Sequence, residues 1–146
     1  MTCVLKRRVW SFVSAILLLS LLSACSSQPA TVYEGLGSEP GLAAVVDNLL
    51  ERMAKDEQIV RYFQDTDIAL FRKGLTEHLC DVADGPCEYG GEDMKATHRG
   101  LNITQADFDR LVQLLIYAMQ EEGIPIAVRN NLLKRLAPMY RDVVYQ

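Results

Sequence analysis

The sequence of 146 residues has few side chains suited to covalent or acid–base catalysis. It has two histidines, His78 and His98, and no serine after Ser38, which excludes a Ser/His/Asp triad from most of the chain. It also lacks a Walker A loop, a GxGxxG turn and the HExxH, GxSxG and paired CxxC motifs. These absences argue against nucleotide-binding enzymes, zinc proteases and serine hydrolases.

Positive charge is scarce outside the N-terminus. The chain has 15 Lys and Arg against 19 Asp and Glu, a net charge of −4. Residues 1–24 contain Lys6, Arg7 and Arg8 and no acid, so the remainder has 12 basic and 19 acidic residues, a net charge of −7. A surface that binds nucleic acid needs clustered positive charge to replace the counterions of phosphates. We therefore expect no nucleic-acid partner.

Residues 1–24 are similar to a bacterial lipoprotein signal peptide. Three basic residues precede an apolar run at residues 9–22, which only serines interrupt and which is short for a membrane span. The following Leu-Ser-Ala-Cys resembles a lipoprotein box, which implies acylation of Cys25 and a polar tether over residues 25–31. Ser26 is not the aspartate that retains such proteins at the inner membrane, so we expect a lipid anchor in the outer membrane, facing the periplasm. The alternative is an ordinary secretory signal with an incidental cysteine.

From residue 32 onward the apolar residues recur at helical spacing, without sustained alternation, which predicts an all-α fold. Helices are predicted after Ser38, after a cap at Thr66 or Asp67, from a capping-box pattern at Thr104 and Asp107 to Glu121, and from Pro125, with short helical turns at residues 56–63 and 93–99. The helix after Thr66 or Asp67 has an apolar face made of Ile68, Phe71, Leu75, Leu79 and Val82. Residues 84–91 hold three glycines and a proline, which predicts a loop. A plain helical bundle explains the apolar stripes but not this long interruption in mid-chain.

The segment around that loop resembles a known family. Residues 85–98, GPCEYGGEDMKATH, resemble the proximal segment of group 1 truncated hemoglobins. Residues 33–37, YEGLG, are similar to the N-terminal signature of that family, and Tyr62-Phe63 resembles its aromatic pair before helix E. The resemblance covers residues 32–144. It implies a truncated globin domain over residues 32–146, in which helices B and E pack against G and H, two over two, around haem b (iron protoporphyrin IX).

The resemblance also implies a role for individual residues. His98 matches the proximal ligand of the haem iron, and a single histidine leaves the sixth coordination position open to a gas. Phe63 matches the residue that packs on the porphyrin face. Tyr89 and Met94 match residues that line the haem, and Tyr89 matches one that reaches a propionate. The glycine-rich loop would let the chain pass around the haem edge.

The distal side departs from the typical family pattern. Leu50 and Leu75 occupy the positions of a tyrosine and a glutamine that hydrogen-bond to bound dioxygen, and Phe71 matches a position facing the ligand access route. None of these side chains can donate a hydrogen bond. We therefore expect fast oxygen release and easy autoxidation, with smaller effects on carbon monoxide and nitric oxide. His78, one turn beyond Leu75, is either a distal donor or sixth ligand, or a histidine without iron contact; its spacing favours the latter.

Two cysteines remain once Cys3 is removed with the signal and Cys25 carries lipid. In the oxidising compartment that the signal implies, Cys80 and Cys87 are expected to form a disulfide, which closes an eight-residue loop and stabilises by roughly 2–3 kcal/mol. The alternatives are two reduced cysteines, or a zinc site with both histidines, although the spacing matches no recognised zinc finger.

The favoured function is reversible binding of oxygen, nitric oxide or carbon monoxide at a five-coordinate haem iron in a mostly apolar pocket. One alternative is catalysis at the same iron, as a nitric oxide dioxygenase or a peroxidase-like enzyme. Since the sequence contains no flavin domain, electrons would then come from an external reductase. The other alternative is a haem-free helical lipoprotein that acts as an interaction module.

Overall fold

The computed structural model describes Pro29 and residues 31–146, and all regular structure in that part is helical. The signal segment and Cys25 lie outside the described residues. The longer helices are α2 (Ser38–Lys55), α4 (Ile68–Val82), α6 (Gln105–Glu121) and α7 (Ile126–Leu136). The shorter ones are α1 (Val32–Gly35), α3 (Glu57–Val60), α5 (Met94–His98) and α8 (Tyr140–Val143), with 3₁₀ turns at Arg61–Phe63 and Ala137–Met139. The all-α prediction is confirmed.

Local capping residues set most helix starts. The Asp67 carboxylate accepts a hydrogen bond from the Leu70 amide at 3.0 Å, so Asp67 rather than Thr66 caps α4. Thr104 and Asp107 form the predicted capping box of α6. Before α2, Gly37 adopts a φ of +89°, which a residue without a Cβ tolerates at no steric cost. These starts follow from short-range hydrogen bonds and backbone freedom.

The long helices form two packed layers. Helix α2 packs against α6 and against α4, and α4 also contacts α7. The core between them consists mainly of aliphatic side chains, together with Met53, Met119 and Cys80. Its most buried members, at most 1% exposed, include Leu42, Val45, Val46, Met119 and Leu132. This is the predicted arrangement of two helices over two.

Ile68, the first residue of α4, is the most exposed member of the predicted apolar face. Its side chain is 48% exposed, and it lines an apolar cavity rather than the closed core.

The short helix α5 is held by the end of the chain. It packs against α8, and the amides of Gly100 and Asn102 both donate hydrogen bonds to the main-chain oxygen of Gln146, at 3.1 and 3.3 Å.

Nothing in the described chain forms a helix long and apolar enough to cross a membrane.

Candidate haem pocket

An apolar cavity of about 260 Å³ opens between α2, the turn after it and the start of α4. Its walls are Leu50, Met53, Ala54, Val60, Phe63, Ile68 and Phe71. The predicted site residues Leu50, Phe63 and Phe71 therefore meet at one place, although they come from three different elements. Leu75 and His78 lie farther along α4, outside the lining of this cavity.

Two aromatic rings form one wall of the cavity. The ring centroids of Phe63 and Phe71 lie 4.8 Å apart, with their planes inclined by 51°. Both rings are half-buried and pack against the core. Tilted rings at this separation attract each other beyond simple area burial. The pair offers flat apolar surface, which suits a planar aromatic ligand.

The turn that carries Phe63 is anchored by Asp107, whose side chain is 3% exposed. Its carboxylate accepts hydrogen bonds from Tyr62 Oη at 2.7 Å, Arg61 Nη2 at 2.9 Å and Gln58 Nε2 at 3.0 Å. The Thr104 hydroxyl and amide donate to it at 2.6 and 3.0 Å. A buried carboxylate is stable when it is satisfied in this way.

Burial by itself raises the pKa of the Asp107 carboxyl, but the hydrogen bonds from Thr104, Tyr62 and Gln58 outweigh it and hold the pKa far below its usual range. The carboxylate is therefore charged at all physiological pH values. Sequence reasoning identified Asp107 only as a helix cap. Its link to the Tyr62-Phe63 turn has no signal in the sequence, since the partners lie more than forty positions apart.

His98 is oriented by the helix that carries it. Asp93 caps α5 by accepting from the Ala96 amide at 2.8 Å. One turn on, His98 Nδ1 lies 2.6 Å from the Met94 carbonyl oxygen. A carbonyl oxygen can only accept, so Nδ1 carries a proton, and in the neutral imidazole Nε2 is then the nitrogen with the lone pair. Metal-ligating histidines in proteins are prepared in this way.

His78 contacts Tyr89 edge to face, with ring centroids 5.0 Å apart and planes at 67°. Burial lowers the pKa of the His78 imidazole, Asp81 opposes the shift, and the neighbouring His98 adds to it. The shift favours the neutral form of His78. The Tyr89 phenol also lies close to Gly91, where an added Cβ would overlap it.

The two cysteines are joined to each other. A disulfide links Cys80 at the end of α4 to Cys87 in the following loop, with Cα atoms 5.8 Å apart. Since both sulfurs are used in the disulfide, they are not available as thiolate ligands for zinc. Within the described residues, no three His, Cys, Asp or Glu side chains converge on a site for a metal ion.

The chemistry of these side chains suits a haem, although His98, Tyr89 and Met94 are not among the residues that line the cavity. A porphyrin supplies four nitrogen ligands itself and needs one protein ligand, which an imidazole such as that of His98 can provide. The Phe63 and Phe71 rings offer flat apolar surface. Gly74 shares the helical face of Phe71, Leu75 and His78, and nothing lies within 4 Å of the place where its Cβ would be, which leaves room along α4.

One known protein family matches most of this chain. The family model for bacterial-like globins matches residues 31–145. The chain belongs to the bacterial-like globin family. This globin is 36% identical over 110 residues to a group 1 truncated hemoglobin of Nostoc sp. (strain MUN 8820), covering 75% of this chain and 93% of that protein. It is 30% identical over 118 residues to a group 1 truncated hemoglobin of Tetrahymena pyriformis, covering 81% and 98% of the two chains. Membership of this family implies haem binding.

Solved structures agree with the fold of this globin. The crystal structure of the Tetrahymena pyriformis truncated hemoglobin in its Fe(III) form superposes with a TM-score of 0.77 at 29% identity, covering 80% of this chain and 99% of that chain. The 2/2 hemoglobin of Synechococcus sp. PCC 7002 gives 0.74 at 21% identity, over 79% and 98%, which supports the fold alone.

Proposed function

We propose that this globin binds haem b through Nε2 of His98 and reversibly takes up oxygen or another diatomic gas. The observation that carries the proposal is the 2.6 Å contact between His98 Nδ1 and the Met94 carbonyl, which leaves Nε2 as the acceptor on a half-buried imidazole. The haem would be held by His98, and its iron would supply the site that binds the gas. The protein contributes orientation, burial and the polarity of the pocket.

Five further side chains would hold the haem. Phe63 and Phe71 offer their rings as apolar wall, and Leu75 follows Phe71 by one turn of α4. Met94 begins the helix that carries His98. The Tyr89 hydroxyl, beside Gly91 at the loop, is the group that we assign to a haem propionate. All five are proposed as cofactor-binding residues.

The distal pocket is proposed to hold gas without a hydrogen-bond donor from Leu50, Phe71 or Leu75. The cavity walls at Leu50 and Phe71 are hydrocarbon, so a polar diatomic ligand gains no hydrogen bond there and leaves quickly. His78 packs against Tyr89 instead, and we infer that it does not contact the iron. Dioxygenase and peroxidase reactions benefit from polar side chains that act on iron-bound oxygen. The apolar wall therefore favours reversible gas binding over catalysis.

Haem titration of the full-length protein tests this proposal. We expect a Soret band with one equivalent of haem, and a His98→Leu variant that has lost the spectrum of an imidazole-ligated ferrous haem. His78→Leu is the matched control, since it removes the other half-buried imidazole, and it should keep the wild-type spectrum. No Soret band in the wild type, or loss of the spectrum in His78→Leu alone, would contradict the proposal.

We also propose that the chain is anchored by lipid at Cys25, in the outer membrane and facing the periplasm, where an external reductase would keep the iron ferrous. The closed Cys80–Cys87 disulfide supports a compartment outside the reducing cytosol. Replacing Cys25 by Ser should abolish labelling by a radioactive fatty acid and release the protein from the membrane fraction. Unchanged labelling would refute acylation at this cysteine.

A further inference from the structure

The segment between α4 and α5 forms few hydrogen bonds with the rest of the protein. Among the described residues, no hydrogen bond joins residues 86–91 to any other part of the chain. The segment begins after Gly85, whose amide donates to the Cys80 carbonyl at 2.8 Å. It ends at Glu92 and Asp93, which accept hydrogen bonds from α5. Six residues that lead to the proposed iron ligand therefore lack the main-chain bonds that usually hold a loop.

Two side-chain contacts take the place of those bonds. The Cys80–Cys87 disulfide joins the segment to α4, where Cys80 is 1% exposed and belongs to the core. Two residues later, the Tyr89 ring meets His78 on the same helix, at 5.0 Å between centroids. Because Cys87 and Tyr89 are separated by one residue, the covalent link limits how far Tyr89 can move from His78.

We propose that Cys80 and Cys87 are positioning residues of the haem site: their disulfide holds Tyr89 against His78, so opening it with a dithiol weakens haem retention. This inference rests on the proposed function. It adds that haem retention depends on whether the disulfide is oxidised or reduced, which ligation by His98 alone does not require. The effect on the iron is indirect, since neither sulfur is assigned a contact with the haem.

The opening reaction is a thiol–disulfide exchange. A dithiol reductant supplies two electrons and two protons: the bond between the sulfurs breaks, Cys80 and Cys87 become thiols, and the dithiol closes to its own disulfide. Cys87 is the partly exposed member of the pair, so the incoming thiolate bonds to its sulfur first and the Cys80 sulfur leaves.

The test measures haem loss from the haem-loaded protein to an excess of a haem-scavenging apoglobin, with and without dithiothreitol. Thiol titration confirms that two additional thiols appear. We expect haem loss about tenfold faster after reduction, which corresponds to the free energy of a modest loop restraint. Reoxidation should restore slow loss. A Cys80→Ala/Cys87→Ser double variant should lose haem as fast as the reduced wild type and should not respond to dithiothreitol.

A matched control distinguishes a specific effect of the disulfide on Tyr89 from a general loss of protein stability. Leu132→Val removes a methylene from the fully buried side chain on α7 and lowers the melting temperature while both cysteines and Tyr89 are kept. It should leave haem loss within about twofold of wild type. If Leu132→Val accelerates haem loss as much as reduction does, or if reduction leaves the rate unchanged, the inference is overturned.

The route through Tyr89 has its own test. With the disulfide closed, the Tyr89→Leu variant should lose haem about as fast as the reduced wild type. Reducing the disulfide of this variant should then raise its rate of haem loss by less than about twofold, since both changes remove the same contact. If reduction accelerates haem loss from Tyr89→Leu about tenfold, as in the wild type, the disulfide does not act through Tyr89. If the oxidised wild type binds no haem at all, the proposed function fails; normal haem binding with no effect of reduction defeats only the positioning role.

Discussion

The imidazole Nδ1 of His98 lies 2.6 Å from the carbonyl oxygen of Met94, the first residue of the same five-residue helix. This contact joins the two ends of α5, so the orientation of the ring depends on the helix remaining intact. A helix this short has little stability of its own. Its cap and its packing therefore control the proposed iron ligand.

Removing the cap of α5 is expected to weaken haem binding. Asp93→Ala deletes the acceptor for the Ala96 amide, which costs about 1 kcal/mol of helix stability. Because α5 is short, we expect faster haem loss. Asp67→Ala is the matched control: it removes the same type of cap from the fifteen-residue α4. It should lower the melting temperature but accelerate haem loss less. Equal haem loss in both variants would contradict this dependence on α5.

A donor placed in the distal cavity should slow oxygen release. Leu50→Tyr puts a hydroxyl at a cavity wall, and a hydrogen bond to a charge-bearing acceptor is worth about 1.5–3 kcal/mol. Since about 1.4 kcal/mol is a tenfold change, oxygen dissociation should slow about tenfold or more. Leu50→Phe has similar bulk and no hydroxyl, so it should change the rate little.

Stopped-flow displacement of oxygen by carbon monoxide measures these rates. Carbon monoxide dissociation should change less than oxygen dissociation in Leu50→Tyr, since carbon monoxide is the less polar bound ligand. An oxygen off-rate already slow in the wild type, or slowed equally by Tyr and Phe, would argue against an apolar pocket without donors.

Asp107 should be a major stabilising residue. Asp107→Asn places an amide among several donors, and we expect a loss of about 2–4 kcal/mol in the free energy of unfolding by urea. Asp109→Asn changes an exposed acid on the same helix and should change stability by less than about 0.5 kcal/mol. Similar effects from both substitutions would show that the buried network contributes little.

The same residue predicts the direction of a pH effect. The pKa of Asp107 is lower in the folded protein than its value of about 3.9 in an unfolded chain. Its contribution is therefore complete well above pH 4 and is lost progressively as the pH falls. Between about pH 5 and pH 3, wild-type unfolding free energy should fall more steeply than that of Asp107→Asn. Parallel curves would show that another group dominates acid sensitivity.

Two helical glycines should respond in opposite directions. Gly74→Ala meets nothing within 4 Å and should stabilise the haem-free protein by about 0.5–1 kcal/mol, because alanine loses less backbone entropy on folding. A Cβ at Gly41 would overlap the Leu36 carbonyl oxygen, so Gly41→Ala should destabilise. Thermal unfolding of both variants measures the signs; stabilisation by Gly41→Ala would contradict the close approach.

Much of the fold was predictable because its signals are local. The cap at Asp67, the Thr104–Asp107 capping box and the glycine-rich break at residues 84–91 are all confirmed. Each depends on hydrogen bonds or backbone freedom within a few residues. The assignment of His98 came from a family pattern over one continuous segment, residues 85–98.

By itself, therefore, the sequence determined the longer helices, the caps at several of their starts and the family, but not the break after Leu136 or the short helices α1 and α8. The tertiary structure decided which distant groups meet: Asp107 with the turn before Phe63, and His78 with Tyr89. It also decided that Ile68 is half-exposed and lines a cavity. These outcomes depend on how whole helices cross, which no short window of residues encodes. A buried carboxylate and an exposed one have the same side chain, and only the packing around them sets burial, hydrogen bonding and charge.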